Sequence, residues 1–154
     1  MKSLLKFALT CGVMLITHAF AGPIENKTLF DKINTHWSNR EYTLILSIIK
    51  SREQVDNNDI LARSLRLYYH IFAEKNIPQA HQVASKLHLH ISTSHNQKVK
   101  ELGQLMIRRV VDIPIEENAP WGQDQINAIH QAMDEYPFIQ DCFVLWALAT
   151  DQID

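Results

Sequence analysis

Apolar residues recur at helical spacing along most of the chain, and this pattern predicts a series of helices. The first predicted helix spans about Glu25 to Trp37, and the second spans about Glu41 to Arg52. The second helix is apolar on two sides, with Ile45 on one face and Leu44 on another, which is typical of a helix that packs between neighbours. Because no long segment alternates apolar and polar residues, the pattern favours an all-α fold.

Local signals place the later helices. Asp59 is a suitable N-cap for a third helix, and Pro78 falls in the first turn of a fourth, where its missing N–H costs little. Periodic apolar residues mark a fifth helix from Val99 and a sixth from Ile126, which Pro137 closes. A short last helix is predicted from Phe138.

The longest irregular segment lies between the fifth and sixth predicted helices, from Asp112 to Gly122. A loop of this length in a compact domain is often functional. Ile113, Ile115 and Trp121 make the segment apolar enough to dock on the core or on a partner. The sequence leaves both interpretations open.

A shift of the chain by 35 residues brings successive helix pairs into register. The aligned pairs are Ile33 with Tyr68, Trp37 with Phe72, Tyr42 with Ile77, Ile45 with Ala80, and Ile49 with Ala84. The pair from Leu61 to Leu87, with two alanines where its helices approach closely, resembles a tetratricopeptide repeat. Leu102 and Gly103, followed by Ala128, Ala132 and Pro137, look like a third unit that is interrupted by the irregular segment.

This resemblance implies a stack of antiparallel helical hairpins, about three pairs in all, with the helix from Phe138 as the cap on the last apolar face. An irregular helical bundle is the alternative. In such a stack the first helix of each pair lines a concave surface. Aromatic and arginine side chains dominate binding hot spots, so the candidate partner-binding residues are Phe30, Asn34, Trp37, Tyr69, Phe72 and Arg108. The alternative is that the rings pack between helices.

The first 21 residues predict a cleavable secretory signal peptide. A basic start without acids precedes an apolar run from Phe7 to Ile16, and Ala19 and Ala21 form a small-x-small cleavage site. The run is about half of the roughly 20 apolar residues that span a membrane. We therefore expect a mature single domain over residues 22–154, exported to the periplasm or, alternatively, to the extracellular medium, with no stable membrane insertion after cleavage.

Charge and cysteine content narrow the classes of partner. The formal net charge of the chain is −2, and cleavage removes Lys2 and Lys6, so the mature chain is more acidic still. A chain of this sign lacks the electrostatic footprint of a nucleic-acid-binding protein. Cys142 is the one cysteine left after cleavage, which predicts a fold without an internal disulfide. We interpret it as a buried structural thiol, with a reactive or intermolecular role as the alternative.

Catalytic and metal-binding motifs are missing from the sequence. His81 and His88 lie seven residues apart, roughly 10 Å along a helix, which is too far for one zinc ion. The sequence contains no Gly-x-Ser-x-Gly, no His-Glu-x-x-His and no glycine-rich phosphate loop. We therefore predict no enzymatic activity, no cofactor and no metal.

The functional prediction that follows is an exported adaptor that binds another protein. An immunity-type inhibitor of a periplasmic toxin enzyme is a narrower version of the same class. A small hydrolase of the cell envelope is the alternative from a different class, because catalytic partners are rarely neighbours in sequence.

Overall fold

A computed structural model describes residues 24–111 and 138–152 of the chain. These residues form six helices and contain no strand: α1 (Ile24–Ser38), α2 (Tyr42–Val55), α3 (Ile60–Phe72), α4 (Ile77–Ser92), α5 (Gln97–Val111) and α6 (Phe138–Ala149). The fold is therefore all-α, as the apolar periodicity predicts. The predicted signal peptide, the irregular segment Asp112 to Gly122 and the predicted sixth helix lie outside the described residues.

Side-chain caps begin α3 and α4, and the cap of α3 is the one that the sequence predicts. The carboxylate of Asp59 accepts a hydrogen bond from the backbone N–H of Ala62 at 2.7 Å. The Asn76 side chain likewise accepts one from the N–H of Gln79 at 3.1 Å, and Pro78 occupies the first turn of α4. Each cap pairs an N–H that has no partner within its own helix, which stabilises the first turn.

The turns after α1 and α3 have the same unusual backbone conformation. Arg40 has a φ of 58° and Lys75 a φ of 52°, in the left-handed region that favours glycine. The two positions are 35 residues apart, which is the shift that aligns the predicted helix pairs. The two turns share this conformation at one position, although residues 39–41 form the first turn and residues 73–76 form the longer second turn.

The first helices of the hairpins run in one direction. Each helix from α1 to α5 packs against the next one along the chain. Helices that are joined by short turns and packed together are antiparallel neighbours. It follows that α1, α3 and α5 are parallel to one another, with α2 and α4 running the opposite way. Trp37 and Phe72, which occupy equivalent positions in α1 and α3, stack edge to face with their ring centroids 5.9 Å apart.

The third helix is the centre of the core because it contacts α2, α4 and α6. Every residue of α3 is buried except Arg63 and Arg66, which reach the surface with their charged ends partly exposed. Arg66 donates hydrogen bonds to both carboxylate oxygens of Glu53 in α2, at 2.6 and 2.5 Å. This pair links α3 to α2 at the edge of the core.

A close approach between α4 and α5 depends on Gly103. A Cβ atom at this position would lie 2.6 Å from Cδ1 and 2.9 Å from Cγ2 of Ile91. These distances are far below van der Waals contact, so the absent side chain makes room for Ile91. The small residue at Gly103 is the position that the sequence assigned to a third repeat unit.

Candidate functional site

The last helix covers the side of the fold on which the sequence predicts partner binding. α6 packs against α1, α3 and α5, the first helix of each predicted pair. We call the surface of these three helices that contacts α6 the first-helix face. The helix that the sequence predicts as a cap therefore lies along this face.

Two contacts at opposite ends of α6 define its direction. At its start, Phe138 packs against Tyr68 and Phe72 near the end of α3, with centroid distances of 4.7 and 5.3 Å. Near its end, the carbonyl of Leu148 accepts a hydrogen bond from the Asn96 side chain, just before α5 begins, at 3.4 Å. α6 is therefore antiparallel to all three helices of the first-helix face.

Aromatic side chains hold α6 along its length. Phe143 meets Phe30 of α1 edge to face, with ring centroids 5.1 Å apart. Further along, the guanidinium of Arg52 lies 5.2 Å from the ring centroid of Trp146 and also pairs with Asp59 at 2.6 Å. Aromatic pairs of this geometry contribute about 0.5–1.5 kcal/mol each beyond the burial of their surface. These contacts add to the anchor that Phe138 provides at the other end.

A partly buried ion pair joins α5 to α6. Arg109 Nη1 lies 2.7 Å from Asp141 Oδ2, and each side chain is about one-fifth exposed, at 22% and 21%. Burial raises the pKa of Asp141, and the hydrogen bond and charge of Arg109 only partly oppose this rise. The cost of desolvation offsets much of the attraction in such a pair, so its net contribution to stability is small. Its main effect is to fix the position of α6 against α5.

A buried hydroxyl lies beside this ion pair. The Tyr68 ring is 1% exposed. Burial raises the pKa of Tyr68 well above its usual range, with Cys142 and Asp141 adding to the rise and the charge and hydrogen bond of Arg109 opposing it. Arg109 is therefore the basic neighbour of both Asp141 in α6 and Tyr68 in α3.

Cys142 lies on the buried side of α6. Its side chain is 0% exposed, as the sequence interpretation of a structural thiol expects. Burial raises the pKa of the thiol, and a hydrogen bond with Ser64 of α3 only partly opposes this. Because the thiolate is the reactive species, the thiol is inert while α6 stays docked.

Three of the six predicted partner-binding residues are aromatic side chains that the fold buries fully or in part. Trp37 and Phe72 are buried at 8% and 7% exposure. Phe30 is partly buried against Phe143 of α6. In this arrangement these rings pack between helices, which is the alternative that the sequence left open for them.

The other three predicted residues are not brought together. Tyr69 is buried beside His70, and burial and the charge of Glu74 raise its pKa. Asn34 and Arg108 are exposed. No observation tests whether any of the six binds a partner, so their role stays a prediction.

Two residues that contact α6 are the sequence neighbours of predicted partner-binding residues. Tyr68 rather than Tyr69 contacts Phe138, and Arg109 rather than Arg108 pairs with Asp141. Adjacent residues in a helix differ by about 100° in direction, so a shift of one position changes the face. The signal that could have identified Arg109 is the single acidic residue in the otherwise apolar α6, which requires a basic partner.

Two histidines in the described ranges each pair with one acidic side chain. His36 Nδ1 lies 2.6 Å from Glu41 Oε2, and His70 Nδ1 lies 2.5 Å from Glu74 Oε2. Within these ranges, no group of three or more His, Cys, Asp or Glu side chains is placed to hold a metal ion. The same ranges contain no helix with the length and apolar character needed to cross a membrane.

Comparison with known proteins identifies no relative. The chain matches no protein-family model, no curated protein and no solved structure. The function must therefore be argued from the sequence and from the contacts of the described residues.

Proposed function

We propose that this chain is an exported protein–protein interaction module, built from tetratricopeptide-like helical hairpins, that binds a peptide or protein through the first-helix face. The observation that supports the proposal is that α6 packs against α1, α3 and α5. A surface that already accommodates one antiparallel helix has the shape and apolar chemistry to bind another. Helix-in-groove binding is a common mode of peptide recognition.

The repeat interpretation is supported by equivalent positions in the first two hairpins. Arg40 and Lys75 share a left-handed backbone at a spacing of 35 residues. Trp37 and Phe72, at the same spacing, pack directly on each other. Stacking of equivalent side chains is what successive repeats produce.

Export is supported by the N-terminal signal pattern, which ends at Ala21. We assign the mature protein to the periplasm, with the extracellular medium as the alternative. Cys142, the one cysteine outside the signal segment, is buried and free, so an oxidising compartment leaves it without an accessible partner thiol.

Exposed polar side chains of the first helices offer the partner its first contacts. Asn34 of α1 and Arg108 of α5 are both exposed. α5 carries four basic residues and one acidic residue, Glu101, so this helix favours an acidic partner.

The proposal is tested by purification from the native host after light crosslinking of the tagged full-length chain. We expect one stoichiometric partner in the envelope fraction, whose yield falls at least tenfold in the double variant Asn34→Ala with Arg108→Glu. Lys86→Glu removes an exposed charge on α4 and is the matched control, which should retain the partner. Equal recovery from all three proteins, or no partner under several growth conditions, would contradict the proposal.

A further inference from the structure

One arginine joins the start of α3 to the end of α4. Arg63 Nη1 lies 3.1 Å from His90 Nδ1, and Arg63 Nη2 donates to the backbone carbonyl of Asn57 at 3.1 Å and to the Asn58 side chain at 3.2 Å. Asp56, in the same turn between α2 and α3, accepts a hydrogen bond from the backbone N–H of Asn58 at 2.8 Å. Arg63 therefore connects α4 to the turn that precedes its own helix.

The contact between Arg63 and His90 fixes the protonation state of the histidine. A guanidinium group has donors and no acceptor, so His90 Nδ1 must be the acceptor and must carry no proton. A protonated imidazole has a donor at both ring nitrogens and cannot accept this hydrogen bond. The contact therefore exists only while His90 is neutral.

Among the described residues, two charged groups act on His90, and they act in opposite directions. Burial, followed by the charge of Arg63, lowers the pKa of His90, whereas the charge of Asp56 raises it. The neutral form is therefore favoured by a cationic neighbour in α3 and the protonated form by an anionic neighbour in the turn before it. Other charged side chains of α4 and of the adjoining α5 do not contribute to this pKa; they are Lys86, Lys98, Lys100 and Glu101.

We propose that His90 is an acid-sensitive switch that exchanges Arg63 for Asp56. When neutral, it accepts the hydrogen bond of Arg63 and connects the end of α4 to the turn between α2 and α3. Once protonated, it releases Arg63, because two cationic donors repel each other, and pairs with the carboxylate of Asp56. The helices keep their places in both states, and the change is confined to the partner of one side chain. Histidine suits this role because its charge ordinarily changes between about pH 5 and 8.

The first test measures the pKa of His90 by NMR titration of its imidazole protons in the intact chain. We expect Arg63→Met to raise this pKa, because it removes the cation and the donor that favour the neutral form. Asp56→Asn should lower it, because the protonated form loses its anionic partner. Lys86→Met removes a cation one helical turn before His90 and is the matched control, which should leave the pKa unchanged.

The second test follows the release of Arg63 directly. The NMR signals of the Arg63 side-chain N–H groups and of the Asn58 backbone amide should shift with the same midpoint as His90 between pH 7.5 and 5, above the range in which most carboxylates titrate. In His90→Asn both signals should stay constant over this range, because an amide oxygen accepts the hydrogen bond of Arg63 without titrating. His88→Asn, at an exposed position in α4, is the control and should keep the shifts of the unaltered chain.

Three outcomes would overturn the proposal. The first is an unchanged pKa of His90 in Arg63→Met, and the second is an unchanged pKa in Asp56→Asn, because this carboxylate would then not be the partner in acid. The third is a set of Arg63 and Asn58 signals that do not follow the midpoint of His90. If circular dichroism shows that His90→Asn is unfolded, the pKa of His90 in the other two variants still decides. None of these measurements involves a partner, so they are independent of the test of the proposed function.

Discussion

Arg109 of α5 and Asp141 of α6 are joined by a 2.7 Å contact, whereas Arg108, its neighbour in sequence, is exposed. Two arginines that look alike in the sequence therefore have different surroundings. One holds the last helix against the fold, and the other is available to solvent.

We expect Arg109→Ala to lower the free energy of unfolding by about 2 kcal/mol, because it leaves the Asp141 carboxylate partly buried without its cation. Arg108→Ala is the matched control and should change it by less than about 0.5 kcal/mol, as is usual for an exposed position. Urea unfolding followed by circular dichroism measures both. Equal effects of the two substitutions would show that the ion pair does not hold α6.

The left-handed turn residues predict a stabilising substitution. Lys75→Gly should raise the free energy of unfolding by about 0.5–1 kcal/mol, because glycine adopts a φ of 52° without steric strain. Lys75→Ala, which keeps the Cβ atom and removes the charge, separates strain from electrostatics and should give no such gain. If both variants gain equally in urea unfolding, relief of backbone strain is not the cause.

The contact of Gly103 with Ile91 predicts a non-additive pair of substitutions. Gly103→Ala should lower stability by about 1–3 kcal/mol, because the added methyl group overpacks the boundary between α4 and α5. Ile91→Val removes the Cδ1 atom that lies nearest and should recover part of this loss in the double variant. A double-mutant cycle from thermal or urea unfolding measures the coupling. Additive effects would mean that the helices shift apart instead.

The contact between Arg63 and His90 predicts a dependence of stability on pH. Burial, followed by the charge of Arg63, lowers the pKa of His90 in the folded protein, with Asp56 opposing. The unfolded chain therefore takes up this proton at a higher pH than the folded protein does. Stability that is present above the unfolded pKa of about 6.5 is lost as the pH falls towards the folded pKa.

His90→Gln should accordingly reduce the loss of stability between pH 7.5 and 5.5 in urea unfolding. His88→Gln, at an exposed position two residues earlier in α4, is the control and should keep the pH dependence of the unaltered chain. The same slope in all three proteins would exclude His90 as its source.

Much of the secondary structure could be predicted because its causes are local. Asp59 caps the helix that follows it, Pro78 lies in the first turn of the next one, and apolar spacing identifies the buried faces of each helix. The contact partner of α6 could not be predicted in this way. Periodicity shows that Phe138 and Cys142 are buried, but it does not show which other helices bury them.

The same limit applies to which side chains of α3 and α5 contact α6. The sequence alone does not show whether Tyr68 or Tyr69 contacts α6, because it does not show which helix packs on each face of α3. Only the seating of α6 distinguishes the two, by its contact with Tyr68.

The position of α6 has a consequence for how the chain reaches its native state. In a simple repeat array each unit contacts only its neighbours, so folding can start at any unit and spread. Here the contact between Phe30 and Phe143 joins the beginning of the described fold to its end. Closing such a long loop slows folding, and it makes the first helix depend on a segment that is synthesised much later. A chain that has not yet been completed therefore has an exposed apolar face and needs protection from aggregation until α6 arrives.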